Sequence, residues 1–285
     1  MVLDRKIDFS AILIVRNANP NGDPLNGNRP RLNFDGTGEL SDVCIKRKIR
    51  NRLMHMGKNV FVQSDDSKVD GYPSLRKRAE GEIPAGVQKN VKEFRKATCE
   101  KWIDVRAFGQ VFAYSKKDKD TDDAVSIGIR GPVSIHPAIS INPINITSLQ
   151  ITKSVSGEGD GTRRASDTMG MKHRVEFGMY VLYGSMNPQL AEGTGFSYED
   201  ALDIKEALRS LFVNDASSAR PEGSMEVYKL YWWEHNCKNG QYSSAKVHRS
   251  LQIKSKSTED VKSIEDFEIG LIGLPNLEPE ILSGE

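Results

Sequence analysis

The stretch from Ile7 to Arg52 constrains the fold more than any other. An apolar run enters a loop dense in Asn, Gly, Pro and Arg, and the loop runs into a short basic helix. Ile7, Phe9, Ala11, Leu13 and Val15 alternate with Asp8, Ser10, Ile12 and Ile14. One face is fully apolar and the other partly so, which predicts a strand inside a sheet rather than at its edge. The loop from Asn17 to Leu40 is too rich in Gly and Pro for regular structure, and long for a compact domain. Pro20, Pro24 and Pro30 stiffen it; Gly22 and Gly27 permit positive φ. Ser41 or Asp42 can cap the helix that follows, and Gly57 can stop it. Ile45, Ile49, Leu53 and Met56 fall on one stripe. Arg47 and Arg50 point away from that stripe, while Lys46, Lys48 and Arg52 flank it and are expected to snorkel outward.

Further along, Asn59 to Gln63 reads as a short strand, Val87 to Trp102 as helical and Trp102 to Gly109 as a compact apolar turn. Lys116 to Asp123 reads as a polar loop. Ala124 to Ile141 reads as a strand broken at Gly131-Pro132. Residues 144–183 suggest a long β-hairpin arm with a glycine-rich tip, its return strand carrying Phe177, Met179, Val181 and Tyr183 on one face. Ser197 to Asp200 forms a capping box opening a helix with Ile204, Leu208, Leu211 and Phe212 in register. Met225 to Glu234 is an aromatic strand; Trp232 and Trp233 point to opposite faces, so at least one belongs to a core. After Ser250 the sequence reads as irregular and acidic. Stripped of insertions, the order is β-α-β-β-α-β, an α+β, ferredoxin-like or RRM-like arrangement. Two helices would cover one sheet face and leave the other for a ligand or partner. The whole chain, 1–285, is read as one such domain. Its insertions span 57–123 and 142–174, and an acidic segment follows at 254–285.

Net charge is only +1, but it is unevenly spread: residues 254–285 carry net −5, leaving net +6 on the remainder. A basic body with an acidic tail suits a polyanion binder, or a subunit whose tail docks on a basic neighbour; a merely solvated tail is the plainer alternative. Cys44, Cys99 and Cys237 are far apart and odd in number, which points to free thiols in a reducing compartment. No apolar run approaches transmembrane length. A soluble, cytoplasmic protein is expected.

Lys and Arg neutralise phosphates, and Asn side chains with free backbone N–H groups add neutral donors, so the loop and helix suit a phosphate backbone. A solvated basic helix beside an ordinary loop is the competing reading. Arg163 and Arg164, with Lys153, Lys172, His173 and Arg174, bring positive charge to the arm, where a plain surface loop is the alternative. The five histidines show no metal-ligand spacing beyond a His235-x-Cys237 pair. Asp23 could meet Mg²⁺ against a phosphate, but Asp also begins turns. No acid–base constellation is legible, so neither catalysis nor a cofactor is expected.

The segments N-P-N-G-D-P at 19–24, S-D-V-C-I-K-R-K-I-R at 41–50, D-V-R-A-F-G at 104–109, G-P-V at 131–133 and T-M-G-M-K-H at 168–173 together resemble one family. It is the backbone subunit of CRISPR Cascade complexes, in the RAMP superfamily, most like its type I-C branch. The resemblance spans about residues 5–250. It implies a hand shape: an RRM-like palm, a helical finger and a β-hairpin thumb. Copies would stack head-to-tail along a guide RNA, with other Cascade subunits at the ends, and present the guide to target DNA. By motif match, Asn19, Asn21, Lys46, Arg47 and Arg50 would line the RNA groove. Arg31, Lys48, Arg106, Arg163, Arg164, Lys172 and Arg174 are expected to join them. Met169, Met171 and His173 would belong to the thumb. Relatives in the superfamily that cut RNA with a loop aspartate make Asp23 of a metal-dependent ribonuclease the alternative; a ferredoxin-like metabolic enzyme is a more distant one.

Overall fold

The computed structural model describes residues 1–113, 126–152, 169–256 and 261–285. β1 (Ile7–Ala18) is followed by a loop holding two short paired strands, β2 (Gly22–Asp23) and β3 (Arg29–Pro30), and then by β4 (Thr37–Leu40). After α1 (Asp42–His55) come α2 (Leu75–Glu82), α3 (Ala85–Gln88), α4 (Val91–Lys101) and α5 (Ile103–Phe108). The pair β5 (Gly109–Ala113) and β6 (Ser126–Arg130) leads to β7 (Val133–Ile135), β8 (Ala138–Pro143) and β9 (Ile146–Thr152). β10 (Met169–Met186) returns through the sheet, followed by α6 (Pro188–Thr194), α7 (Tyr198–Arg209) and β11 (Met225–Glu234). The chain continues through α8 (Ser244–His248), β12 (Leu251–Ser255), β13 (Phe267–Leu271) and β14 (Glu280–Ser283).

The large sheet has the order β14-β11-β1-β10-β8-β4, with antiparallel pairing throughout. β1 therefore lies inside the sheet, as its two-sided apolar pattern predicts. Its odd-numbered residues Ile7 to Val15 face α1 and α7, whose stripes of Ile45, Ile49 and Leu53 and of Ala201, Ile204 and Leu208 close the first core. Each such buried aliphatic side chain contributes about 1.5–3 kcal/mol. Ser41 Oγ accepts from Cys44 N–H and starts α1; the Ser197–Asp200 capping box starts α7.

The other sheet face is not open. Ile12, Ile14, Phe177, Met179, Val181, Tyr231 and Trp233 pack under Val247, Leu251, Phe267, Leu274 and Leu277. The expectation of a free face, and of an irregular segment after Ser250, is thus corrected: the described residues 251–256 and 261–285 form a strap with paired strands across that face and along the β11 edge. Its apolar residues are too sparse among acids to announce strands. Both Trp232 and Trp233 are buried, one on each face.

A third core gathers Phe61, Ala79, Ile83, Phe94, Trp102, Val105, Phe112 and Ile127. Phe61 anchors it, with ring centroids 4.7 Å from Trp102 and 5.1 Å from Phe112. Residues 59–63 form no strand, because Phe61 and Val62 donate their N–H groups to the Asp104 carboxylate instead of a ladder. Trp102 to Gly109 contains the helix α5 rather than a turn alone. Gly109 has φ +80°, and a Cβ there would collide with the Ile129 carbonyl; one on Gly131 would collide with that of Ala107. This close approach accounts for the glycines of D-V-R-A-F-G and G-P-V. The break at Gly131-Pro132 stands as expected, with a second at His136-Pro137. The polar loop expected at Lys116 to Asp123 lies outside the described residues.

Candidate nucleic-acid interface

The loop after β1 is folded by its own asparagines. Asn19 is buried and donates Nδ2–H to the Asn28 carbonyl at 2.6 Å. Asn21 Oδ1 accepts from Ser41 N–H (2.9 Å) and Ser41 Oγ–H (3.0 Å), tying the loop to the start of α1. Asp23 Oδ1 accepts from Leu25 N–H at 3.2 Å and lies 3.8 Å from Arg31. Asn19, Asn21 and Asp23 therefore shape the loop. Arg29 and Arg31, on the same loop, are half-buried.

β9 and β10 pair from Ile146↔Val175 to Thr152↔Met169, forming a hairpin that extends β10 beyond β1. Alternation places Met169, Met171 and His173 with Gln150 and Ser148 on one face, and Lys172 and Arg174 with Leu149 and Thr147 on the other. The first face meets the loop. Arg29 donates to Ser148 Oγ at 3.0 Å, and Ser148 Oγ lies 2.9 Å from His173 Nδ1. With Arg29 also 3.4 Å from Nδ1 and able only to donate, Nδ1 is the acceptor and the His173 proton sits on Nε2. On the second face Arg174 Nε is buried and unpartnered, as is Arg31 Nε in the loop, among the described residues. Arg29 was not singled out from sequence, although its place beside Arg31 in the same loop was the available signal.

The basic helix is different from expectation. Lys46 pairs with Asp42 at 2.9 Å, one turn back. Arg47 meets Asp66 at 3.4 Å with both side chains more than half exposed, so it remains available to a ligand. Lys48 does not snorkel: it is 5% exposed, paired with Asp215 and set over the Phe212 ring. Burial pulls its pKa below the usual lysine value, with Asp215 opposing. Arg50 donates to the buried Asp104 at 2.9 Å and lies over Phe108. Arg106 makes a two-pronged bond to Asp200 at 2.8 and 2.6 Å and donates to the Cys99 carbonyl. Lys48, Arg50 and Arg106, expected at the RNA, each join elements of the fold through these carboxylates. Arg163 and Arg164 lie outside the described residues. Arg29 and Arg31 lie in the loop and Lys172 and Arg174 on the hairpin, all half-buried, and Arg47 is exposed on α1.

A separate polar cluster lies under the strap. Asp8 Oδ2 sits 2.8 Å from His235 Nε2 and 3.1 Å from Lys6. Burial works to raise the Asp8 pKa, but bonds from His235 and Ser244 and the Lys6 charge outweigh it and hold it below the usual carboxylate value. His235 Nδ1 accepts from Gln241 N–H at 2.9 Å, so its proton is on Nε2, facing Asp8. His248 donates Nε2–H to the Gly184 carbonyl at 3.0 Å, and burial lowers its pKa.

A large antiparallel sheet, layered helices and a loop stitched to a hairpin through Arg29, Ser148 and His173 define a mixed α/β fold. Among the described residues no group of three or more His, Cys, Asp or Glu is placed to hold a metal ion. The family model for CRISPR-associated protein Cas7 matches residues 5–272, and the chain belongs to that family. The match reaches into the strap, beyond the limit near residue 250 read from motifs. A CRISPR-associated protein Cas7 from Haloferax volcanii is 26% identical over 287 residues, covering 94% of this chain and 82% of the relative. Among solved structures, a chain of a CRISPR RNA-guided surveillance complex in a pre-nicking state is similar with a TM-score of 0.49 and 14% identity, covering 80% of this chain and 78% of that one. A chain of a second CRISPR RNA-guided surveillance complex gives 0.45 and 16%, over 80% and 68%. No described helix is long and apolar enough to cross a membrane.

Proposed function

We propose that this chain is the non-catalytic backbone subunit of a Cascade-type surveillance complex of the type I-C branch of the RAMP superfamily. It holds a guide RNA without regard to base sequence, repeats head-to-tail along it and presents it for pairing with target DNA in the cytoplasm. Other Cascade subunits cap the row. In this reading β11-β1-β10-β8 with α1 and α7 is an RRM-like palm, residues 57–123 the finger, and residues 142–174 the thumb. The observation that carries it is the stitch of Arg29 to Ser148 and His173. It sets the cationic loop against the hairpin face that carries Met169 and Met171. Family membership supports the same reading.

The chemistry suits a guide whose sequence varies. Arginine and lysine reach phosphates, methionines offer adaptable apolar contact, and no aromatic stacking motif reads individual bases. Lys172 and Arg174, on the far face of the hairpin, would reach the RNA segment held by the next copy. Asp23 is occupied in shaping the loop, which favours a binding role over RNA cleavage.

The test is the ultraviolet absorbance ratio of the purified protein, followed by sizing before and after nuclease. Co-purified RNA and an assembly that shrinks on nuclease treatment are expected; nucleic-acid-free protein of unchanged size would reject the reading.

A further inference from the structure

An apolar knob and an apolar groove lie toward opposite sides of the sheet. Beside β4, the turn at Asn33 to Thr37 holds Phe34 fully in solvent. The turn is built to keep it there. Asn33 N–H donates to the Thr37 carbonyl (2.8 Å), Gly36 N–H to the Asn33 carbonyl (3.0 Å), and Thr37 N–H and Oγ–H to Asp35 Oδ1. Leu32, two residues before Phe34 and bridged to Gly38, is half exposed on the same alternation. Ordering an exposed aromatic this tightly has no benefit for the monomer, since it stays in water.

Toward the opposite side of the sheet, between the end of β11 and the strap segment that leads into β14, a groove of about 380 Å³ lies between Trp233, Leu271, Ile272, Leu274, Pro275 and Leu277. That is the small end of the ~300–1,000 Å³ range of ligand clefts, suited to one or two side chains. Ile272 is more than half exposed at its mouth. The rims differ in charge, although the turn also holds Asp35, whose carboxylate is engaged by Thr37. Glu278 lines the groove without an ion-pair partner among the described residues, whereas Arg31, beside the knob, is held only by a 3.8 Å approach to Asp23. A knob and a groove at opposite ends of one sheet cannot meet within a molecule. They meet between copies related head to tail, a contact that repeats without closing.

We infer that the Phe34 turn of one copy docks in the Trp233–Leu277 groove of the next copy of this chain. The inference rests on the reading of a repeating subunit and supplies its protein–protein contact. It is tested by cysteine cross-linking in a chain whose three cysteines are replaced, Cys44 and Cys237 by serine and the buried Cys99 by alanine. Phe34→Cys and Ile272→Cys together should give a ladder of dimers, trimers and longer products with a short bismaleimide. The two single-cysteine chains mixed should give dimers only, and each alone should give none. No interchain product while RNA stays bound would overturn the docking and leave the RNA reading intact. Dimers from either single-cysteine chain alone would mean a symmetric contact and also overturn it. A ladder in protein free of RNA would uphold the docking and count against the RNA reading. Finally, Phe34→Glu and Ile272→Glu should both shorten assemblies and leave affinity for an RNA one subunit long unchanged. Loss of that affinity in Phe34→Glu alone would mean that Phe34 stacks on a base instead.

Discussion

Asp104 shows how a motif residue can be conspicuous for stability rather than for contact with a ligand. It is buried, accepts from the N–H groups of Phe61 and Val62, and faces Arg50. Removing it strands a cation and two backbone donors. Asp104→Ala should cost about 3–5 kcal/mol in chemical denaturation. Arg47→Ala should cost about 0.5 kcal/mol or less, because its pair with Asp66 lies in solvent. A second residue-scale expectation concerns pH. His248 faces Asp8, Lys6, His136 and Tyr183, and burial depresses its pKa below that of the unfolded chain. A histidine favoured neutral in the fold stabilises above its unfolded pKa of about 6.5, and that contribution fades as pH falls through the folded value. Denaturant midpoints should therefore drop between pH 7.5 and 5.5, and less so in His248→Gln; equal drops would assign the effect elsewhere.

At the scale of elements, the hairpin and the strap should respond in opposite ways to loss. Among the described residues β9 pairs with β10 alone, and 147–174 contribute nothing to the three cores, so replacing 147–174 with a short turn should leave the melting transition cooperative while removing RNA. The strap closes a core: Leu274→Ala and Leu277→Ala should each cost about 2–5 kcal/mol. These elements also mark what sequence could reveal. β1, α1, the capping box of α7 and the aromatic strand β11 were legible, because their periodicity and caps are local. The strap was not, since its strands earn their place only by covering Trp233 and Phe177 from far along the chain. The site divides in the same way. Its loop and hairpin were legible from composition, but the fates of Lys48, Arg50 and Arg106 were set by Asp215, Asp104 and Asp200, remote partners that only the fold brings near.

For the whole molecule, the net charge of +1 conceals a division of labour. Many cations are paired with carboxylates inside the fold, while Arg29, Arg31, Lys172 and Arg174 lie half-buried on the loop and hairpin. Affinity resting on such a surface should follow phosphates, not bases. The decisive measurement is the affinity for two guide-length single-stranded RNAs of unrelated sequence across a salt series. The wild-type protein should bind both alike, with log K falling linearly against log salt. The slope should become shallower by about 0.7 for each phosphate contact removed in Arg29→Ala, Lys172→Ala and Arg174→Ala. Binding that separates the two RNAs at constant salt, or slopes unmoved by the three substitutions, would contradict it.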